Sequence, residues 1–330
     1  MSKIIGHGSY GCVYKPPPKC KNNECLPSNP KCVKGVSKLT FEKEAKEEVE
    51  HVSMIDKIDP KQIYHIGDPV VCDPEQSFDT SDCSAVENET DLKFLIYDDG
   101  GETLINFINL DNIDVVKFIK GFANLFFAIK EMSKHGFVHA DIKGNNIVVD
   151  KEYNFKLIDF GLSWGTIPIS QSEYEYWPPE HVLLGSQNSG DTYKSVVSLL
   201  DANKKVMSRN KFVKMLGKDI SDEFWEKFSH TSSDETFKII KSKVDLYSLG
   251  IMIKNLYILL IYLSKNDNIA SHIENFIKSP PMMTLIKQML DEDFYERLTP
   301  QQAYDRYLII SKKYTECISV YLNKKKLLKK

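Results

Sequence analysis

Apolar positions recur along this chain first with the period of strands and later with that of helices. Residues 2–6 and 12–15 are short strand-like runs flanking a glycine-rich turn, and residues 33–39 form a further strand candidate. Between Phe41 and Ile58, apolar residues return at Val49, Val52, Ile55 and Ile58 in an otherwise charged segment. That spacing predicts a helix, which Asp59-Pro60 ends. Phe94-Leu95-Ile96-Tyr97 reads as a buried strand stopped by Asp98-Asp99-Gly100-Gly101. After Gly101 the character is mainly helical. Residues 112–135 carry Val115, Val116, Ile119, Phe122, Phe126, Ile129 and Met132 on one wide apolar stripe. The β-branched runs from Asn146 to Val149 and from Phe155 to Ile158, joined by a polar turn, predict a hairpin. Residues 243–263 predict a strongly apolar helix, and residues 269–322 further helices. The expected fold is α+β and bilobal: a small β-rich lobe over residues 1–97 and a larger helical lobe over residues 98–330.

Composition narrows the function classes. A hydrophobic content of 42% and a charged content of 27% suit a soluble globular protein. A net charge of −3 argues against a nucleic-acid-binding surface spread over the whole chain, and no nucleic-acid partner is expected. The acidic run over residues 72–91 and the basic tail from Lys324 read as solvated segments. No apolar leader follows the first residues, and Lys254 and Asn255 interrupt the most apolar window, Leu246 to Leu263. A buried helix explains that window better than a membrane span, so no membrane partner is expected and a cytoplasmic location is. Seven cysteines in such a chain are expected to be reduced thiols. Cys12 reads as a small strand residue. Cys20, Cys25 and Cys32 fall short of a paired zinc motif, and read as free or occasionally oxidised thiols with zinc as the alternative.

The candidate chemistry lies in an ordered set of motifs. Gly6-His7-Gly8-Ser9-Tyr10-Gly11-Cys12-Val13 spaces glycines so that backbone amides can approach phosphate oxygens unobstructed by a Cβ. Strand-like residues follow it, which disfavours dinucleotide binding. A lysine on the next strand, Lys38 or Lys34, would hold phosphates and needs a carboxylate to orient it. Lys38 is the preferred candidate. On the following helix, Glu48 has Val52 four residues on and Ile55 seven on, so it shares the inward face and is the partner chosen over Glu44, Glu47 and Glu50. Val138-His139-Ala140-Asp141-Ile142-Lys143-Gly144-Asn145-Asn146 puts a base, a phosphate-binding cation and a metal-binding amide on one short loop. Asp159-Phe160-Gly161, after the apolar Leu157-Ile158, is a carboxylate at a strand end suited to Mg2+.

These motifs, in this order, resemble the eukaryotic-type serine/threonine protein kinases. Pro178-Pro179-Glu180 looks like the motif closing the activation segment. Asp245 to Gly250 looks like the buried-helix motif that braces the catalytic loop, and Arg297 looks like the late arginine that pairs with Glu180. The resemblance runs from Gly6 to about Ala303. It implies a protein-kinase-like fold and ATP-dependent phosphorylation of serine or threonine hydroxyls on a protein substrate, with ATP and Mg2+ required. It makes Asp141 the base and Lys143 the loop cation, with Asn146 and Asp159 the metal ligands. Gly6, Gly8, Ser9, Gly11, Val13, Lys38 and Glu48 would hold the nucleotide phosphates. Adenine would sit near Leu95, Ile96 and Tyr97, with Leu95 or Ile96 as gatekeeper. The stretches Gly8 to Pro17 and Ile58-Asp59-Pro60 are similar to kinases of large nucleocytoplasmic DNA viruses, which would place the protein in host cytoplasm or virion.

Ala140 stands where many such kinases have arginine, which motivates the expectation that phosphorylation of the activation segment is not required. An insertion over residues 181–244 contains the amphipathic segment Asp222 to Phe228, expected to pack on the large lobe. A small-molecule phosphotransferase and a pseudokinase scaffold are the competing readings. The motifs at Glu180, Asp245 and Arg297 oppose the first, and retention of every phosphate and metal group opposes the second. The physiological substrate and oligomeric state are not expressed in these patterns.

Overall fold

The computed structural model describes the chain except for residues 1, 9, 22–23, 87–89, 111–112, 164–174, 185–192, 207, 217–218, 264–267 and 328–330. Ser9, part of the acidic run, the end of the basic tail and parts of the activation segment and insertion therefore lie outside the described residues. The chain forms two compact units. One comprises residues 1–101 with 156–161, and the other residues 102–155 with 162–330.

The first unit is built on a five-stranded sheet. Strands β1 (Lys3–Gly8) and β2 (Gly11–Lys15) make an antiparallel hairpin with Gly8 opposite Gly11. The expected strand over 33–39 is in fact the end of a short helix followed by a strand. Asn29 caps helix α1 (Pro30–Lys34), whose start carries proline, and β3 (Val36–Phe41) begins only after Gly35. A Cβ on Gly35 would lie 2.1 Å from the Tyr97 carbonyl oxygen, so the chain can pass here only as glycine. Helix α2 (Glu42–Ile58) follows, then β4 (Val70–Cys72) and β5 (Leu92–Tyr97), and the sheet order is β1-β2-β3-β5-β4.

Strand alternation sorts the side chains of this sheet onto two faces. Cys12, Tyr14, Leu39, Phe94 and Ile96 belong to one buried cluster with Cys20, Cys72, Cys83 and Val86. Full burial of such an apolar side chain contributes about 1.5–3 kcal/mol. Val13, Lys38, Leu95 and Tyr97 alternate with these. Helix α2 buries a narrow stripe of Ala45, Glu48, Val52 and Ile55.

The cysteines overturn the reduced-thiol expectation. Cys12 is bonded to Cys83, Cys20 to Cys72 and Cys25 to Cys32, leaving Cys317 free and exposed. Cys12 is thus a cross-link on the glycine-rich hairpin, and the thiols considered for zinc are consumed. The partners Cys72 and Cys83 come from a segment that looked only acidic, and sequence spacing did not connect them.

In the second unit, β6 (Glu102–Thr103) leads into α3 (Leu104–Phe107). The single stripe expected over 112–135 is divided into α4 (Val115–Gly121) and α5 (Ala123–Lys134). A Cβ on Gly121 would lie 2.1 Å from the Tyr153 carbonyl oxygen, so glycine permits a close passage at the break. Phe122 there meets Phe118, Phe126, Phe155 and Tyr307. β7 (Ile147–Val149) pairs with β6, and the turn through Asp150 and Asn154 leads to β8 (Phe155–Leu157), of which Phe155 belongs to this unit and the other two residues to the first.

The remaining helices are α6 (Tyr193–Val206), α7 (Arg209–Leu216), α8 (Asp222–His230), α9 (Ser233–Leu263), α10 (Asn268–Lys278), α11 (Pro280–Met289) and α12 (Pro300–Leu327). Phe224 and Phe228 of α8 are buried with Phe212 and Phe294, so this insertion helix packs into the unit's core. α9 starts ten residues before the predicted 243 because Phe237 and Ile240 extend its buried face. It is long and apolar enough to cross a membrane, but 56% of its most apolar window is buried inside the protein, as in a core helix.

Candidate active site

In the first unit, three charged groups and one phenol meet. Lys38 Nζ donates to Glu48 Oε2 at 2.6 Å and to Asp159 Oδ1 at 2.8 Å. Tyr97 donates from its hydroxyl to the other Glu48 oxygen, Oε1, at 2.8 Å. Burial would lower the Lys38 pKa, but Glu48 and Asp159 outweigh it and hold the ammonium well above its ordinary value. Lys38 is therefore a fixed cation.

Helix α2 positions this group at several points. Glu48 sits on its buried stripe, and one turn on, His51 Nδ1 lies 3.0 Å from the Phe160 carbonyl oxygen. At its C-terminus, Asp59 accepts from Tyr64 N–H at 2.8 Å and pairs with His65 Nδ1 at 3.0 Å. The loop so held offers the Tyr64 carbonyl to Leu157 N–H at 2.8 Å, two residues before Asp159. Asp159 itself has φ +63, a left-handed backbone that L-residues seldom adopt, and this turns the chain at the strand end.

The glycines of the hairpin divide by cause. Gly11 has φ +155, and a Cβ there would fall 1.7 Å from the Leu39 carbonyl oxygen, so the sheet requires it. A Cβ on Gly6 or Gly8 would meet only ordinary contacts at 3.5 Å or more. Internal packing does not demand those two glycines, and a bare backbone surface suits a closely approaching ligand. Val13 shares the Lys38 side of the sheet, opposite Lys38 in register. Leu95 lies opposite Lys38 on β5, whereas Ile96 points to the other face and joins the cluster with Cys12. Ile96 is therefore no gatekeeper, and Tyr97 is aimed at Glu48.

The second unit holds the loop from His139 to Asn146. Asp245, on α9, accepts from His139 N–H at 2.8 Å and from Ala140 N–H at 2.9 Å. These bonds support Ala140 at φ +63. Burial still pushes the Asp245 carboxyl up, against the pull of His139 and the two amides. Asp141 Oδ2 accepts from Lys143 Nζ at 2.8 Å and from Asn146 Nδ2 at 2.6 Å. Asn146 Nδ2 also reaches the Asp141 carbonyl at 3.1 Å, so the amide oxygen is the end left for a cation. Carboxylate and amide oxygens of this kind suit Mg2+.

Two aromatic residues missed by sequence reasoning complete this loop. The Tyr176 hydroxyl donates to Asp141 Oδ1, and Trp177 Nε1 donates to the Ala140 carbonyl at 2.7 Å. Ser248, on α9, donates to the Tyr176 carbonyl at 2.8 Å. Their place just before Pro178-Pro179-Glu180 was the one available signal. Glu180 is bound by Arg297, whose Nε donates to the Asp291 carbonyl at 2.9 Å.

The protein kinase domain model matches residues 1–198 of the chain. The serine/threonine-protein kinase CBK1 of Pneumocystis carinii is 43% identical over 68 residues, 20% of this chain and 13% of that protein. The serine/threonine-protein kinase LATS2 of Mus musculus is 39% identical over 74 residues, 22% of this chain and 7% of that protein. The serine/threonine-protein kinase cot-1 of Neurospora crassa is 30% identical over 112 residues, 33% and 18% respectively. The chain thus spans less than a fifth of the length of these curated relatives.

Proposed function

We propose, from the premise that the chain belongs to the protein kinase domain family, that it phosphorylates serine and threonine hydroxyls of protein substrates using ATP and Mg2+. The observation carrying this reading is the Lys38 ammonium, bonded at once to Glu48 and to the Asp159 of the Asp-Phe-Gly turn. A fixed cation beside a strand-end carboxylate is what phosphate and its metal require. The relatives named above are serine/threonine kinases, and Lys143 follows the pattern of that class.

In the reaction, the substrate hydroxyl oxygen forms a bond to the γ-phosphorus, the bond to the bridging oxygen breaks, and ADP leaves. Asp141 receives the hydroxyl proton, its carboxylate aimed by Lys143 and Asn146. Lys143 offsets charge on the transferring group. Lys38 and the hairpin glycines Gly6, Gly8 and Gly11 place the phosphates, with Leu95 beside adenine. Asp159 and the Asn146 amide oxygen are the groups that would hold Mg2+, which would supply positive charge against the phosphate oxygens. The first unit serves as the nucleotide-binding lobe and the second as the substrate lobe.

Ala140 supports independence from activation-segment phosphorylation, and loss of activity after phosphatase treatment would end that idea. A narrower origin among kinases of large DNA viruses rests on Gly8 to Pro17 and Ile58-Asp59-Pro60. The function is tested by incubating the protein with labelled Mg·ATP and myelin basic protein, casein, sugars or aminoglycosides. Phosphoserine and phosphothreonine on protein support it, and label on the small molecules alone overturns it.

A further inference from the structure

Glu48 carries a carboxylate into a place with almost no solvent, at 2% exposure. A charge so placed persists only if both oxygens find donors. Oε2 has Lys38, and Oε1 has the Tyr97 hydroxyl. These donors differ in what they do when a nucleotide arrives. Lys38 has three N–H donors, two already used by Glu48 and Asp159, and phosphate oxygens compete for the same ammonium. Tyr97 has one hydroxyl proton, sits on β5 at 7% exposure and gives that proton to Glu48 Oε1.

Helix α2 has need of such an anchor. Only Ala45, Glu48, Val52 and Ile55 are buried along its seventeen residues, and most of the rest are charged. Three alkyl side chains fix a helix's distance from a sheet better than its rotation, and a directional bond on each carboxylate oxygen fixes the rotation. Burial, with Glu48 and Asp159 nearby, raises the Tyr97 phenol well above its ordinary value, so it stays protonated and a donor.

We propose that Tyr97 is a positioning residue: through Glu48 it pins α2 to β5 so that Lys38 stays aimed while phosphates draw on its ammonium. Tyr97 thereby acts on the phosphate end of the nucleotide, not as the adenine contact expected from its place in the strand. The inference rests on the proposed nucleotide-binding role of Lys38 and deepens it.

The test is a double-mutant cycle of Tyr97→Phe and Glu48→Ala, read as the dissociation constant of Mg·ATP and as kcat/KM for Mg·ATP. Phenylalanine keeps the ring and removes only the hydroxyl, and thermal melting confirms that each variant is folded at the assay temperature. Tyr97→Phe is expected to weaken Mg·ATP binding and lower kcat/KM about tenfold, the scale of a hydrogen bond to a charged group. It is expected to leave the KM for the protein substrate unchanged and to add less than about twofold once Glu48 is alanine. An equal effect in both backgrounds would show that Tyr97 acts elsewhere, as an adenine contact would, and would overturn the proposal. So would wild-type affinity in the single variant. If wild-type protein binds Mg·ATP and transfers no phosphate, the kinase reading fails while the binding cycle still decides the role of Tyr97.

Discussion

Arg297 and Glu180, 117 residues apart in the chain, face each other with Nη1 donating to Oε1 and Nη2 to Oε2, and neither side chain reaches solvent. The guanidinium also lies 4.7 Å over the Tyr247 ring, and Lys243 binds the Arg297 carbonyl at 2.5 Å. Removing one member of such a pair leaves a buried charge without its counterpart. Arg297→Ala is expected to destabilise the protein by about 3–5 kcal/mol in urea unfolding, and replacing both residues with apolar ones by much less. A single variant as stable as wild type would show that water enters the site.

How much of this could be read in advance depends on whether the information is local. Asp141, Lys143 and Asn146 lie on one loop, so short spacing alone groups these three side chains. Glu48 was legible because helical period places it in line with Val52 and Ile55. Tyr97 was read as part of an apolar run, since nothing in Phe94-Leu95-Ile96-Tyr97 says which face meets a carboxylate. Strand register decides that, and register is set by residues far away. The break at Gly121–Phe122 was invisible for the same reason: the Tyr153 carbonyl that requires glycine comes from another element.

The cysteine pairs make the first unit sensitive to reductant. Cys12–Cys83 and Cys20–Cys72 close long loops, with sequence separations of 71 and 52. Links of this length contribute about 2–4 kcal/mol each by restricting the unfolded chain. Disulfides persist where cellular reductants do not reach them, so these pairs are expected to hold under oxidising conditions and to open under reductant. Alkylation without reductant is expected to label Cys317 alone, and dithiothreitol to lower the melting temperature. Labelling of all seven thiols in native protein would contradict the pairing.

Tyr176 occupies Asp141 Oδ1, an oxygen a substrate hydroxyl would need. An incoming hydroxyl must displace the phenol, at the net expense of one hydrogen bond. Tyr176→Phe is expected to raise kcat/KM for a peptide substrate about three- to tenfold, with Mg·ATP affinity unchanged. Steady-state kinetics with varied peptide reads this out. A fall would mean that the phenol holds the base in place.

His51 supplies a pH dependence. Burial lowers its pKa, while the Phe160 carbonyl and the carboxylates of Glu47, Glu50 and Glu48 pull upward without reversing the shift. The folded value therefore lies below the unfolded one, near 6.5. The unfolded chain then binds the proton first, so the contribution of His51 to stability is complete above about pH 6.5. It is lost as pH falls from there toward the folded value. His51→Gln keeps a donor for the carbonyl and is expected to flatten the urea midpoint between about pH 7 and 5. An unchanged slope would assign the acid sensitivity to other groups.

Asp141 is the proposed acceptor of the substrate proton. The most direct measurement is single-turnover phosphate transfer by Asp141→Asn protein saturated with Mg·ATP. Transfer at least about a hundredfold slower than wild type, with Mg·ATP affinity intact, is the expected result. Transfer within a few-fold of wild type would contradict it.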